Sequence, residues 1–240
     1  NFPIMRTSPK FCFLILFLSA TVFAKGGGGG HALGANIGFL SPSQDDMNTL
    51  ISRANTREGG ITTAQLNSAY EFSGDYVYRF SGTMFAFMFR PAFFYQKQSG
   101  SGASGSFNYS LMGYSLFPMF RLYPLENSFI RFFMQVGLGY GSLSGDITEG
   151  GAQLSFSGDA FGFQGGIGAE FCFTANHCMN VEGNTRYMPV KRNIAKSVGG
   201  SFAADSLSQA ENAKEVEVND SDLMTTMSGI QGILGYIYYF

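Results

Sequence analysis

The chain has no tryptophan, two histidines, three cysteines and a charged fraction of only 13%. Soluble enzymes carry charge on about a quarter of their residues, so an ordinary water-facing surface is missing. A net charge of -2 supplies no basic excess of the kind that binds nucleic acid. No apolar run reaches the ~20 residues of a membrane-crossing helix, which argues against a helical membrane protein. What the chain has instead is 26 Phe, 12 Tyr and 32 Gly in 240 residues. That length suits one all-β unit of roughly 200–250 residues.

The aromatic residues alternate. Tyr70, Phe72, Tyr76, Tyr78 and Phe80 share one parity, while Glu71, Ser73, Asp75 and Arg79 share the other. Residues of like parity lie on one face of a strand. Aromatics outside and charges inside suit a wall between lipid and a polar lumen. Leu33, Ala35, Ile37 and Phe39 alternate likewise over 31–40. The same period predicts strands over 84–96, 107–123, 129–141, 160–173, 179–190 and 228–240. Together these make an all-β, eight-stranded antiparallel up-and-down transmembrane barrel.

Short turns after the second, fourth and sixth strands alternate with long polar loops after the first, third, fifth and seventh. Bacterial barrels keep short turns in the periplasm and long loops outside, so both ends of the barrel are expected in the periplasm. Within the first loop, Ser43 and Asp46 resemble a capping box, and Met47, Leu50, Ile51 and Ala54 recur at helical spacing before Gly59 and Gly60. A short helix is expected there, packed on the rim or lying over the mouth. Pro91 and Pro118 lack the N–H that a ladder uses. Bulges are the expected remedy, and one near 113–118 would swing Arg121 from the lipid interface to the lumen.

Met5 to Ala24 has a basic start, an apolar centre containing Cys12 and small residues at Val22 and Ala24, as in a cleaved export signal. Residues 1–24 are therefore assigned to the signal and its upstream residues, and 25–240 to the barrel domain. Cys172 and Cys178 remain in a chain bound for an oxidising compartment. Their spacing leaves open a local disulfide across one turn. A metal site is less favoured, since His177 is the only soft ligand nearby.

Phe161-Gly-Phe-Gln-Gly-Gly-Ile-Gly-Ala-Glu-Phe171 and the ending Gly235-Tyr-Ile-Tyr-Tyr-Phe240 resemble the small eight-stranded outer-membrane barrels of the OmpA, OmpX and OmpW group. The resemblance spans the whole barrel domain and implies fold and an outer-membrane location, with no activity. It also implies that Tyr236, Tyr238 and Phe240 form the terminal signal recognised by the outer-membrane assembly machinery.

The predicted lumen holds Glu71, Asp75, Arg79, Arg90, Arg131, Glu170, Glu182 and Arg186. Of these, Arg79, Arg131, Glu170 and Glu182 fall near the short-turn end, and Asp75, Arg90 and Arg186 nearer mid-height. Eight strands leave an interior that side chains can fill, and buried charges persist when paired. Inward glycines of the fifth and sixth strands would give the arginines room. A structural barrel plugged by ion pairs is expected. The alternatives are a narrow conduit or gate, passive uptake of small or apolar solutes, and surface binding through the loops. No catalytic constellation, cofactor or metal site is expected. His31 and His177 both fall at the short-turn end, where a lipid-cutting Ser-His-acid site would not sit, and Asp220-Ser-Asp222 reads as solvated loop. Lys97, Lys191, Arg192 and Lys196 fall at the extracellular ends, where they would meet water or lipopolysaccharide phosphates.

Overall fold

The computed structural model describes residues 30–59 and 63–240. The predicted export signal, with Cys12, lies outside the described residues. Seven long strands run in succession: β1 (His31–Ser41), β2 (Ala69–Arg79), β3 (Phe85–Gly102), β4 (Gly105–Glu126), β5 (Ile130–Glu149), β6 (Ala152–Cys172) and β7 (His177–Tyr187). Four short pieces follow the bend after β7, namely β8 (Pro189–Val190), β10 (Glu217–Val218), β11 (Ser221–Asp222) and β12 (Thr225–Thr226), with the longer β9 (Ile194–Gly199) among them. Strand β13 (Gly229–Tyr239) returns between β7 and β1. Its pairing with both, together with the β5–β6 ladder, closes an eight-stranded antiparallel ring of β1 to β7 and β13.

The wall is inverted relative to a water-soluble sandwich. Phe161 is 81% exposed on the outside, whereas Arg90 and Arg121 are 0% exposed within. Unpaired backbone groups are intolerable in lipid, and the closed ring leaves no edge there.

Strands β3 to β6 have 18 to 22 residues, far more than the ~9–11 that cross the hydrocarbon. The polar stretches 99–106 and 142–158, expected as loops, are instead paired extensions of the wall. They close through the registers Gly102↔Gly105 and Glu149↔Ala152. Their sequences are Gly- and Ser-rich, which hides the strand. The second stretch is nonetheless half-lined with large apolar side chains, Leu143, Ile147, Leu154 and Phe156, all buried beside Phe107, Tyr109 and Leu111 of β4. An apolar core thus fills the extracellular half of the interior, above the charged layer.

The helix α1 (Asp45–Glu58) completes that core with Met47, Leu50, Ile51 and Ala54. Its N-cap is Gln44 rather than Ser43, without a side-chain cap bond. Ser43 Oγ turns instead to Asp45. Gln44 serves another purpose: its amide donates to Thr226 O at 2.7 Å and accepts from Thr226 N at 3.0 Å, tying the helix start to β12. Gly59, in the left-handed region at φ 63°, ends the helix by donating to Asn55 O.

No bulge accompanies either proline. Pro91 and Pro118 sit in the unbroken β3–β4 register, opposite Leu116 and Phe89. On their other sides the β2–β3 ladder skips Arg90–Pro91, and the β4–β5 ladder skips Phe117–Pro118; both resume in the same register. A missing N–H removes a local hydrogen bond without adding a residue, so the side-chain alternation never switches. The shift in the β4–β5 pairing lies further along, between Leu122 and Leu125.

Candidate functional site: the closed lumen

Uninterrupted alternation through β4 sends Arg121 inward, and the lumen is organised around it and Arg90. Arg90, from β3, clamps Asp75 of β2 with Nε and Nη2 at 2.6 and 2.7 Å. Its Nη1 and Nη2 also donate to Glu182 of β7, both at 2.8 Å. Arg121 donates to Glu170 at 2.9 Å, to Glu182 at 3.0 Å and to Gln135 Oε1 at 3.1 and 2.9 Å. Its guanidinium lies 3.8 Å above the Phe133 ring. Planar guanidinium forks suit such two-pronged contacts.

The carboxylates are saturated as thoroughly. Glu182 also accepts from Gln135, Asn180 and Asn184 at 2.8, 2.8 and 3.1 Å. Glu170 accepts from the hydroxyls of Tyr123 and Tyr239 at 2.7 and 2.6 Å. A second group lies toward the apolar core. Arg186 donates to Glu71 at 2.6 Å and to Met227 O at 2.6 Å, and Gln231 donates to Glu71 at 2.6 Å.

Of the eight residues assigned to the lumen from sequence, the structure joins Asp75, Arg90, Glu170 and Glu182 through Arg121 and pairs Glu71 with Arg186. Glu182, expected near the short-turn end, lies in the same layer as Arg90. Arg79 stands apart at the short-turn mouth, bonded to Glu126 at 2.5 Å and stacked over Tyr123. Arg131 reaches Glu170 only at 3.8 Å and lies over Tyr239. Arg121, Gln135, Tyr123 and Tyr239 are the members that sequence reasoning left out. Strict parity through β4 carries Arg121 and Tyr123 inside with no bulge, whereas the sequence was expected to need one to bring Arg121 into the lumen.

The inward glycines accommodate other groups than the arginines. A Cβ on Gly139 would collide with the Phe117 ring, and one on Gly168 with that of Phe133. Gly168 thereby lets in the ring on which Arg121 rests. Gly166 faces Asn184 in the same way, with no room for a Cβ beside its amide oxygen.

Above the apolar core, α1 lies over the extracellular mouth. Arg57 donates to Glu149 at 2.8 Å, at the top of β5, and to Asp205 at 2.5 Å in the loop after β9. Burial depresses the guanidinium pKa, but the bonds to Asp205 and Glu149 outweigh it and raise the value. Glu58 accepts from Ser104 Oγ and N at 2.6 and 3.1 Å, which lowers its carboxyl below the ordinary range. The helix is thus fixed to the β3–β4 tip, to β5 and to the last loop, and lies over the mouth as a lid.

Cys172 and Cys178 are cross-strand partners joined by a disulfide just inside the short-turn end. His31 and His177 lie on the outer wall at that same end, against Tyr76 and Tyr236. The carboxylates of Glu215, Glu217 and Asp222 converge on the extracellular surface, where Arg192 pairs with Glu215. Lys97, Lys191 and Lys196 are exposed.

No protein-family model and no curated protein matches the sequence. Solved structures are similar in shape. Outer membrane protein OprG from Pseudomonas aeruginosa superposes with a TM-score of 0.57 at 13% identity, over 89% of this chain and 96% of that one. A major outer membrane protein from Thermus thermophilus gives 0.52 at 12% identity, over 88% and 99%. The chain is a transmembrane β-barrel with the eight-stranded fold of small bacterial outer-membrane proteins.

Proposed function

We propose that this protein is a non-enzymatic barrel of the outer membrane that contributes to the structure of the envelope and keeps its own lumen shut. The observation that carries this is the layer in which Arg90 and Arg121 share Glu182 while holding Asp75 and Glu170. Ion pairs that span the lumen brace the wall and obstruct the axis. The apolar core and α1 stand above that layer as a second obstruction. Both histidines are engaged by tyrosine hydroxyls outside the lumen, which supports a role without catalysis. The test is single-channel recording on purified protein in planar bilayers. Silence is expected, and stable, reproducible conductance steps would overturn the proposal.

A second function, passive uptake of small or apolar solutes, is favoured by a notch of about 460 Å³ in the wall near the extracellular end of β7 and β13. Arg186 lines it together with Tyr187, Met224 and Ile230, and its Nη2 is buried without a hydrogen-bond partner. Solute entry into vesicles at equal rates with and without the barrel would remove this second function. The exposed Lys97, Lys191 and Lys196 would meet lipopolysaccharide phosphates at the extracellular rim. Binding that does not weaken when all three are replaced by Gln would count against that contact.

A further inference from the structure

The aromatic belt at the short-turn end is chemically lopsided. On the arc β7–β13–β1–β2 it presents His177, Tyr236, Tyr238, His31, Tyr76 and Tyr78. On the opposite arc, β3 to β6, the same end presents Phe85, Phe87, Phe120, Phe132 and Phe171. At that end the outward wall positions of β3 to β6 hold only apolar side chains, whereas the first arc carries imidazoles and phenols.

That side is built twice to one plan. The Tyr76 hydroxyl lies 2.8 Å from His31 Nδ1, and the Tyr236 hydroxyl bonds His177 Nδ1. Each imidazole also packs against a second tyrosine, Tyr78 at 4.9 Å for His31 and Tyr238 at 5.1 Å for His177. The Phe240 ring stacks on His31 and on Tyr238, joining the two halves. Either atom can donate in these pairs; in the tautomer where the phenol O–H donates to Nδ1, the ring carries its proton on Nε2. In that tautomer each ring is a held donor whose Nε2–H lies across the ring from the bonded Nδ1, at the depth where belt aromatics meet lipid headgroups.

We propose that this arc is a docking surface for phospholipid phosphates of the periplasmic leaflet, with Nε2–H of His31 and His177 as the donors. The phosphodiester is the acceptor that chemistry selects there, because a hydrogen bond to an ionised oxygen is about twice as strong as a neutral one. The tyrosines are positioning residues that hold the tautomer. The phenylalanine arc offers phosphate nothing, so lipid is ordered on one side of the barrel. The proposal rests on the transmembrane seat of the barrel and is independent of whether the lumen conducts.

The chain contains only two histidines, so untagged protein labelled with ¹⁵N-histidine reports on these rings alone. It is reconstituted into phosphatidylglycerol vesicles in phosphate-free buffer, and flotation with the vesicles establishes insertion. Solid-state NMR then measures ¹⁵N–³¹P dipolar dephasing, with His31→Gln assigning the two rings. Dephasing of both Nε2 signals is expected, together with a loss at His31 alone in Tyr76→Phe. Inserted protein showing no phosphorus dephasing at either ring overturns the proposal, as does dephasing at His31 undiminished by Tyr76→Phe.

Discussion

Arg90 on β3 meets Glu182 on β7 through two parallel bonds of 2.8 Å, although these strands stand directly opposite each other in the ring. The pair is a strut across the lumen, and Arg121 shares its carboxylate. Removing one partner of a buried pair costs about 3–5 kcal/mol, because the other charge stays buried. Glu182→Gln leaves Arg90 on Asp75 and Arg121 on Glu170 but removes the carboxylate they share, and is expected to destabilise the barrel by about the lower end of that range. Denaturant unfolding in lipid vesicles, followed by the gel shift of folded barrel, measures the loss.

The disulfide closes only the short turn between Cys172 and Cys178. Stabilisation by a cross-link grows with the loop it encloses, and so short a loop gives about 2 kcal/mol. The turn is also held by Phe173 N donating to His177 O at 2.9 Å. The double variant Cys172→Ala, Cys178→Ala is therefore expected to insert and fold, with a stability lower by about 2 kcal/mol. Failure to insert would show that the bridge guides assembly rather than securing the finished turn.

The lid contact between Glu58 and Ser104 titrates with a definite sign. Hydrogen bonds from the Ser104 hydroxyl and amide favour the carboxylate, so the Glu58 pKa is lower in the folded protein than the ordinary 4.5. The contact is fully present above that ordinary value and is lost as pH falls through the depressed one. Followed by NMR, the Ser104 amide signal should move with a midpoint below 4.5. In Glu58→Gln that acid-side movement should vanish. A midpoint at or above the ordinary glutamate value would contradict the geometry at the lid.

The barrel was legible because its wall separates two solvents. Each side chain of β1, β2 and β7 is sorted by parity, and the outer face between the strand ends is almost wholly apolar or aromatic. Legibility failed wherever that sorting changes. Above the membrane, the extensions of β3 to β6 keep an apolar interior but face water outside, so Ser99 to Ser106 reads as loop although it is paired. Arg121 was expected to enter the lumen only through a bulge near Pro118, whereas the rung is merely skipped and plain alternation carries it there. The partners of Glu182 come from β3, β4 and β5. No periodicity within a strand encodes which residues meet across the lumen, because that depends on tilt and register around the whole ring.

Phe240 closes the ring by a backbone bond and a ring contact. Its N–H donates to His31 O at 2.9 Å, and its side chain stacks 5.9 Å from the His31 imidazole. Both contacts lie at the extreme end of the β13–β1 seam, which already holds ten paired residues from Ala32↔Tyr239 to Ser41↔Ile230. Phe240→Ala keeps the backbone bond and removes one partly exposed ring, so the finished barrel should lose little stability, about 1 kcal/mol for an aromatic pair. If the terminal aromatics are what the assembly machinery recognises, the same substitution should greatly slow insertion in cells. Two measurements separate these effects: denaturant unfolding of the refolded variant, and the rate at which newly exported chain becomes heat-modifiable in the membrane. Unchanged insertion would leave Phe240 as a seam residue alone. A large loss in both would assign it to the stability of the closed ring, since a recognition residue affects the path to the barrel and not the barrel once made.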